Sequence, residues 1–265
     1  MAVGASSDVG ATELRRVEID VTDGLRRDYD RLTGAVGPDP SIGLWVVIAR
    51  RALAGCGPIP AGGVLLSLTV SCEGGPAQEP GRVTVDVRRH ERTTSDGRRF
   101  VTVTCDIADN ATVTFVLLLP VSGSGPGGHP AGHIDNRDPD VGEPPSTPPS
   151  YGPVTTDLAV TTAWSRLTHD ANPLHTSETY AAGSRFGVPI VHGHYLAALV
   201  GERLDRENGS RPLSFACDFV APVPVGASIE LDIDVTAGNV TGEVRRFGAT
   251  AVRVTGHTNR YEDPR

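Results

Sequence analysis

Ile42-Gly43-Leu44-Trp45-Val46-Val47-Ile48-Ala49-Arg50-Arg51-Ala52-Leu53 is the stretch that decides the architecture. Nearly continuous apolar residues from Leu44 to Ile48 read as a helix that is hydrophobic all round, and such a helix must be wrapped by other elements. A second apolar helix is expected further on, where Leu196, Leu199, Val200 and Leu204 recur at helical spacing.

The surroundings of the two helices resemble one another. Val21-Thr22-Asp23-Gly24-Leu25 leads to Arg31-Leu32-Thr33, and Val154-Thr155-Thr156-Asp157-Leu158 leads to Arg166-Leu167-Thr168. After each helix comes Pro-x-Pro-x-Gly, at Pro58, Pro60 and Gly62 and again at Pro222, Pro224 and Gly226, followed by a strand at 64–70 or 229–235. In the first copy 82–88, 100–107 and 112–119 then read as an antiparallel meander, with turn residues Ser95-Asp96-Gly97 and Ala108-Asp109-Asn110 between them. Residues 228–235, 243–247 and 250–256 repeat that pattern more weakly. Between the copies, 122–150 runs through Gly-Ser-Gly-Pro-Gly-Gly and Pro-Pro-Ser-Thr-Pro-Pro with almost no large apolar side chain, and reads as a linker that cannot bury a core. The expected organisation is a first copy at 12–121, the linker at 122–150 and a second copy at 151–265.

Composition narrows the function classes. With 265 residues, a formal net charge of -8 and an isoelectric point near 5.5, the chain has no general basic field for nucleic acid or anionic membrane. No apolar run approaches the roughly 20 residues that span a bilayer, and the expectation is a cytoplasmic protein. Cys56, Cys72, Cys105 and Cys217 are widely spaced, which suits buried reduced thiols. Arginine clusters at 88, 89, 92, 98 and 99, and at 245 and 246, read as solvated strand ends, with phosphate binding as the alternative.

Chemistry concentrates in His169-Asp170-Ala171-Asn172-Pro173-Leu174-His175 and, seventeen residues on, in His192-Gly193. Asn172-Pro173 favours a turn that can bring the Asp170 carboxylate and the His175 imidazole to one point. Such a pair suits general acid–base work beside a carbonyl. The run Asp170-x-Asn172-Pro173-Leu174-His175, with Ala181-Ala182, Arg185-Phe186-Gly187 and Pro189-Ile190-Val191-His192-Gly193, resembles the MaoC-like, (R)-specific enoyl-thioester hydratases and dehydratases. The likeness extends to Phe219-Val220-Ala221-Pro222-Val223 and Gly226, which look like the strand that closes that family's hot-dog fold.

The resemblance implies an α+β double hot-dog, each copy an antiparallel β-sheet wrapped around a central α-helix, with the two sheets able to join inside one chain. It implies a cofactor-independent hydro-lyase, without metal, that dehydrates a (R)-3-hydroxyacyl thioester or hydrates the matching enoyl thioester. Asp170 and His175 would move protons, and the Gly193 N–H at a helix start would receive the thioester oxygen. Asn172, His192 and His194 are the expected substrate-binding residues, with a turn-forming role for Asn172 and a structural imidazole hydrogen-bonded to backbone at His192 as the alternatives. The substrate would be an acyl-CoA or an acyl carrier protein thioester, and a homodimer joined through sheet edges is compatible with the fold.

Aligned on Arg-Leu-Thr, Asp170 falls opposite Ala35, so only the second copy carries the pair; the first is expected to complete the fold and shape an acyl pocket. Departures from the family pattern are His169, Thr176-Ser177, His194 and Gly201, the last at a helix position where relatives often place a polar side chain toward the site. These fit bacterial polyketide or other secondary acyl metabolism. An oxa-Michael cyclase and a non-catalytic acyl-thioester binder are the alternatives, and Asp170 with the nearby histidines also offers a metal-like donor set.

Overall fold

The chain runs β1 (Glu13–Val21), α1 (Asp23–Thr33), α2 (Ile42–Gly55), β2 (Val64–Cys72), β3 (Gly81–Thr93), β4 (Arg99–Ile107) and β5 (Ala111–Leu119). It continues through β6 (Val154–Thr155), α3 (Leu158–Thr168), α4 (Glu178–Ala182), α5 (Gly193–Asn208), β7 (Pro212–Phe219), β8 (Ser228–Thr236), β9 (Asn239–Arg246) and β10 (Ala249–Thr258). The computed structural model describes residues 13–35, 41–57, 59, 60, 62–72, 81–108, 110–120, 153–208 and 212–258. The expected linker, 122–150, lies outside the described residues. Among the described residues no helix is long and apolar enough to cross a membrane.

One ten-stranded sheet follows the order β1-β3-β4-β5-β2-β7-β10-β9-β8-β6. Read outward from the antiparallel β2–β7 pair, the two arms repeat each other: β5 answers β10, β4 answers β9, β3 answers β8 and β1 answers β6. This is a double hot-dog, its two sheets fused inside a single chain. Each arm wraps its own helix. Eleven residues of α2 are buried, including Leu44, Trp45, Val46, Val47 and Ile48, and each large apolar side chain so buried contributes about 1.5–3 kcal/mol.

The repeated segments before the central helices are capped helices with the same ending. The Thr22 side chain accepts from Leu25 N–H at the start of α1, and the Asp157 side chain accepts from Val160 N–H at the start of α3. Both helices end in a left-handed residue after Arg-Leu-Thr, Gly34 with φ 71° and His169 with φ 54°. The Thr33 and Thr168 hydroxyls bond back to the carbonyls of Tyr29 and Trp164, so these two aromatic residues occupy matching places.

Three expectations change. Phe219 to Val223 is not a closing strand: β7 ends at Phe219, and Val220 and Ala221 leave the ladder to donate both N–H groups to the Ala251 carbonyl. The two Pro-x-Pro-x-Gly motifs are out of phase, since the first precedes the central strand β2 whereas the second follows its counterpart β7 and precedes β8. Finally, β9 begins at Asn239, because Ala237-Gly238 and Phe247-Gly248 are the two-residue turns; all four have positive φ, and Phe247 stands exposed at the second turn instead of ending a strand.

The central helices α2 and α5 cross in close contact. A Cβ placed on Gly201 would lie 2.9 Å from Ile42 Cγ2 and 3.1 Å from Gly43 N. Gly201 thus lets two backbones approach and does not stand where a side chain would face the site.

Candidate active site

A cavity of about 230 Å³ opens beside the start of α5 and is walled by both halves of the chain. Leu53, Val64, Leu65, Phe115 and Leu117 supply an apolar wall from the first half; Asp170, Asn172, His175, Gly193, His194 and Phe219 come from the second. The first copy, expected to shape an acyl pocket, supplies this apolar wall. Gly193 has little room for a side chain, since a Cβ there would come 3.1 Å from both Leu65 Cδ2 and Phe219 Cε1. Its N–H belongs to the first helical turn, where no intrahelical acceptor exists and the dipole favours negative charge.

Asp170 follows the left-handed His169 and enters the buried interior. Its Oδ2 accepts from His194 Nε2 at 2.8 Å, and its Oδ1 accepts from Arg50 Nη2 at 2.8 Å and from Asn172 N–H at 3.2 Å. Burial alone would raise the carboxyl pKa; Arg50 and His194 outweigh it and hold Asp170 well below the usual carboxylate range.

The neighbouring donors fix the imidazole tautomers. Trp164 Nε1–H donates to His194 Nδ1 at 2.7 Å, so Nδ1 carries the lone pair and Nε2 carries the proton given to Asp170. Burial pushes His194 down to about 4, which keeps it neutral. His175 Nδ1 lies 2.8 Å from the Ile190 carbonyl oxygen and must be its donor, which leaves Nε2 as the basic nitrogen. Burial lowers the His175 pKa despite the nearby Asp170 carboxylate.

His192 is placed differently from its expected role. It is fully buried behind the cavity, stacked on His175 with ring centroids 3.8 Å apart, and is absent from the cavity lining. Ser165 Oγ donates to the Asp170 carbonyl oxygen and therefore accepts from His192 Nε2 at 3.1 Å. His192 is a support for the His175 ring, not a substrate contact. His194 does line the cavity, yet both ring nitrogens are committed to Trp164 and Asp170, so it orients the carboxylate. Asn172 also faces the cavity, while its amide clamps the loop to the first half: Nδ2 donates to the Gly63 carbonyl at 3.1 Å and Oδ1 accepts from Gly62 N–H at 3.4 Å, Oδ1 also accepting from Leu174 N–H at 3.3 Å within the loop.

Sequence reading missed Arg50, Trp164 and Ser165. Arg50 had a signal, being a charge in the most apolar helix of the chain, where a buried guanidinium requires a partner. Trp164 and Ser165 gave none, since they meet the site through pairings across 30 and 27 residues respectively.

Side-chain donors of Asp170, His192 and His194 lie within 4.8 Å of one another, the donor set closest to a metal site among the described residues. Arg50 already occupies Asp170 Oδ1, and His194 has no lone pair left after Trp164 and Asp170 are served, so the chemistry of this set opposes a cation. The arginine clusters are largely neutralised: Arg88 pairs with Asp106, Arg89 and Arg99 with Glu91, Arg98 with Asp96, and Arg245 with Glu243.

Comparison with known proteins agrees with this geometry. The chain is 38% identical over 78 residues to an (R)-specific enoyl-CoA hydratase of Aeromonas caviae, covering 28% of this chain and 58% of that protein. It is 38% identical over 76 residues to a 3-hydroxybutyryl-CoA dehydratase of Methylorubrum extorquens, covering 27% and 48%. The chain thus spans about half the length of these curated relatives. Among solved structures, HtdX of Mycobacterium tuberculosis superposes with a TM-score of 0.70 at 17% identity over 92% of this chain and 98% of that one. A MaoC-like dehydratase superposes with a TM-score of 0.73 at 15% identity over 96% and 98%. At such identities these two establish the fold alone. The profile of the MaoC like domain family matches residues 140–258, the part of the chain that holds Asp170, His175 and Gly193.

Proposed function

We propose that this protein is a hydro-lyase that interconverts a (R)-3-hydroxyacyl thioester and the matching enoyl thioester, with Asp170, His175 and Gly193 as its catalytic groups. The observation that carries the reading is the basic Nε2 of His175 beside an ionised Asp170, in a cavity that also contains a helix-start N–H. The curated hydratase and dehydratase relatives support it.

In the dehydration direction the thioester oxygen receives the Gly193 N–H, which offsets the charge that develops as the α-proton leaves; one such donor is worth about 3 kcal/mol. His175 Nε2 takes that proton. Asp170 accepts a hydrogen bond from the β-hydroxyl and steadies the imidazolium. His175 then returns the proton to the departing hydroxyl, water leaves and the double bond forms. Hydration is the same path reversed, with a water held between the two side chains. Neither direction calls on a metal or organic cofactor.

The thioester carrier is coenzyme A or an acyl carrier protein, and the substitutions His169, Thr176 and Ser177 within the loop favour a bacterial polyketide or other secondary acyl substrate in the cytoplasm. The division at 122–150 into a supporting and a catalytic copy, with pairing of two chains through sheet edges, completes the reading. The deciding assay follows enoyl absorbance with crotonyl-CoA, longer enoyl-CoA and racemic 3-hydroxyacyl thioesters. Turnover that Asp170→Asn and His175→Ala each lower about 10³-fold is expected. A folded wild type that binds these thioesters without turning them over would sink the enzyme reading in favour of a binding protein, and an oxygen-heterocycle product would make it a cyclase.

A further inference from the structure

Among the described residues Arg50 is the cavity's buried cation, and it comes from the half of the chain that lacks the Asp–His pair. It projects from α2, whose neighbouring side chains Val46, Val47, Ile48, Ala49 and Leu53 are apolar, and it is 6% exposed. A buried ion pair of this kind is a poor way to stabilise a fold, because apolar residues of similar volume serve as well or better. The matched helix makes the point within the same molecule: when Gly43-Leu44-Trp45 is laid on Gly193-His194-Tyr195, Arg50 falls on Val200, which is fully buried. The fold accepts valine there.

Geometry shows what the arginine accomplishes. A carboxylate offers about four acceptor directions. At Asp170 the donors already in place are Arg50 Nη2, Asn172 N–H and His194 Nε2. One direction remains for a hydroxyl or a water. Without Arg50, Oδ1 would keep only the longer backbone bond from Asn172, and the carboxylate would be held firmly at Oδ2 alone, by His194 Nε2.

We propose that Arg50 is a positioning residue for the reaction, which fixes the Asp170 carboxylate so that its one open acceptor direction meets the substrate hydroxyl or water. This rests on the hydratase/dehydratase reading above. Activity then belongs to both halves of the chain.

The test compares full-length wild type with Arg50→Gln, Arg50→Lys, Asp170→Asn and the double variant Arg50→Gln/Asp170→Asn, using crotonyl-CoA and 3-hydroxybutyryl-CoA, with circular dichroism to establish folding. Arg50→Gln is expected to lower kcat about 100-fold while KM stays within about threefold, the pattern of a lost orienting group. Arg50→Lys, which restores a cationic donor, is expected to recover at least tenfold of that loss, and the double variant to be no slower than Asp170→Asn alone. A folded Arg50→Gln with kcat within twofold of wild type overturns the assignment and leaves the functional reading intact. If Arg50→Gln does not fold, the double variant decides, because Asp170→Asn removes the buried carboxylate left unpaired: a kcat no lower than that of Asp170→Asn alone supports the assignment, whereas a lower kcat, or a double variant that also fails to fold, reduces Arg50 to a structural role. A wild type inert toward both thioesters overturns the functional reading and this assignment together.

Discussion

The two central helices begin alike and are used in opposite ways. At the start of α2 the Gly43 N–H donates to Ser41 Oγ at 3.0 Å, Ser41 Oγ bonds the Tyr29 hydroxyl at 3.0 Å, and Tyr29 in turn donates to Glu202 of the other helix. A Cβ on Gly43 would collide with the Tyr29 hydroxyl. At the start of α5 the corresponding glycine, Gly193, lines a cavity, and Trp164, the counterpart of Tyr29, has turned its N–H to His194. One helix start is filled by the protein itself and the other opens on a cavity. The fold therefore imposes a pair of matching clefts, and side-chain chemistry decides which stays open.

The largest effects should separate the open cleft from the filled one. His175→Ala is expected to lower kcat about 10³-fold, the span of a lost general acid–base group, whereas Tyr29→Phe at the filled cleft is expected to leave kcat within about twofold. Tyr29→Phe should instead cost about 1–3 kcal/mol of stability, because Glu202 and Ser41 lose a buried partner. Steady-state kinetics with denaturant unfolding of both variants would check this, and a Tyr29→Phe variant that loses activity without losing stability would break the comparison.

The clefts should also titrate with opposite sign. Burial pushes Glu202 up to about 7 from 4.5, so the folded state binds a proton that the unfolded state has released. Stability from this group is complete below about pH 4.5 and falls as pH rises to about 7, by roughly 3 kcal/mol in all. Asp170 is depressed, so its contribution is present above the unfolded value and is lost as pH falls through the folded one. Chemical denaturation between pH 2 and 8 should show Glu202→Gln flattening the fall toward neutrality and Asp170→Asn flattening the loss below about pH 4. A Glu202→Gln profile parallel to wild type across pH 5–7 would remove the filled cleft from this account.

A third difference lies where the helices cross. Gly201→Ala would force a methyl against Ile42 and the backbone of Gly43, and overpacking of that kind costs about 1–3 kcal/mol. Loss of kcat beyond the loss of folded protein would mean that Gly201 does bear on the site.

How much of this was legible follows from the range of each interaction. The apolar run around Val46 announces a wrapped helix, and the Arg-Leu-Thr repeat marks two copies. The Asp170–His175 turn is local enough to be located by residue type. What escaped was set by distant pairing: Arg50 meets Asp170 across the junction of the copies, and His192 is turned inward by Ser165. Even the Pro-x-Pro-x-Gly repeat misled, because strand pairing places β2 opposite β7 and so throws the two motifs out of phase.

The smallest effect concerns the residue just before the site. Gly34 and His169 close matching helices in the same left-handed conformation, with φ 71° and 54°. Glycine adopts that conformation without the Cβ penalty that histidine bears. Burial together with Arg51 and Arg50 lowers the His169 pKa, so the imidazole stays neutral beside them. His169→Gly should remove a strained residue and raise stability by about 0.5–1 kcal/mol at pH 7. If histidine serves only as a cap, kcat should be unchanged. A His169→Gly protein that is more stable yet slower would instead place His169 with Arg50 among the residues that set the Asp170 loop, and the strain at φ 54° would then be retained for positioning.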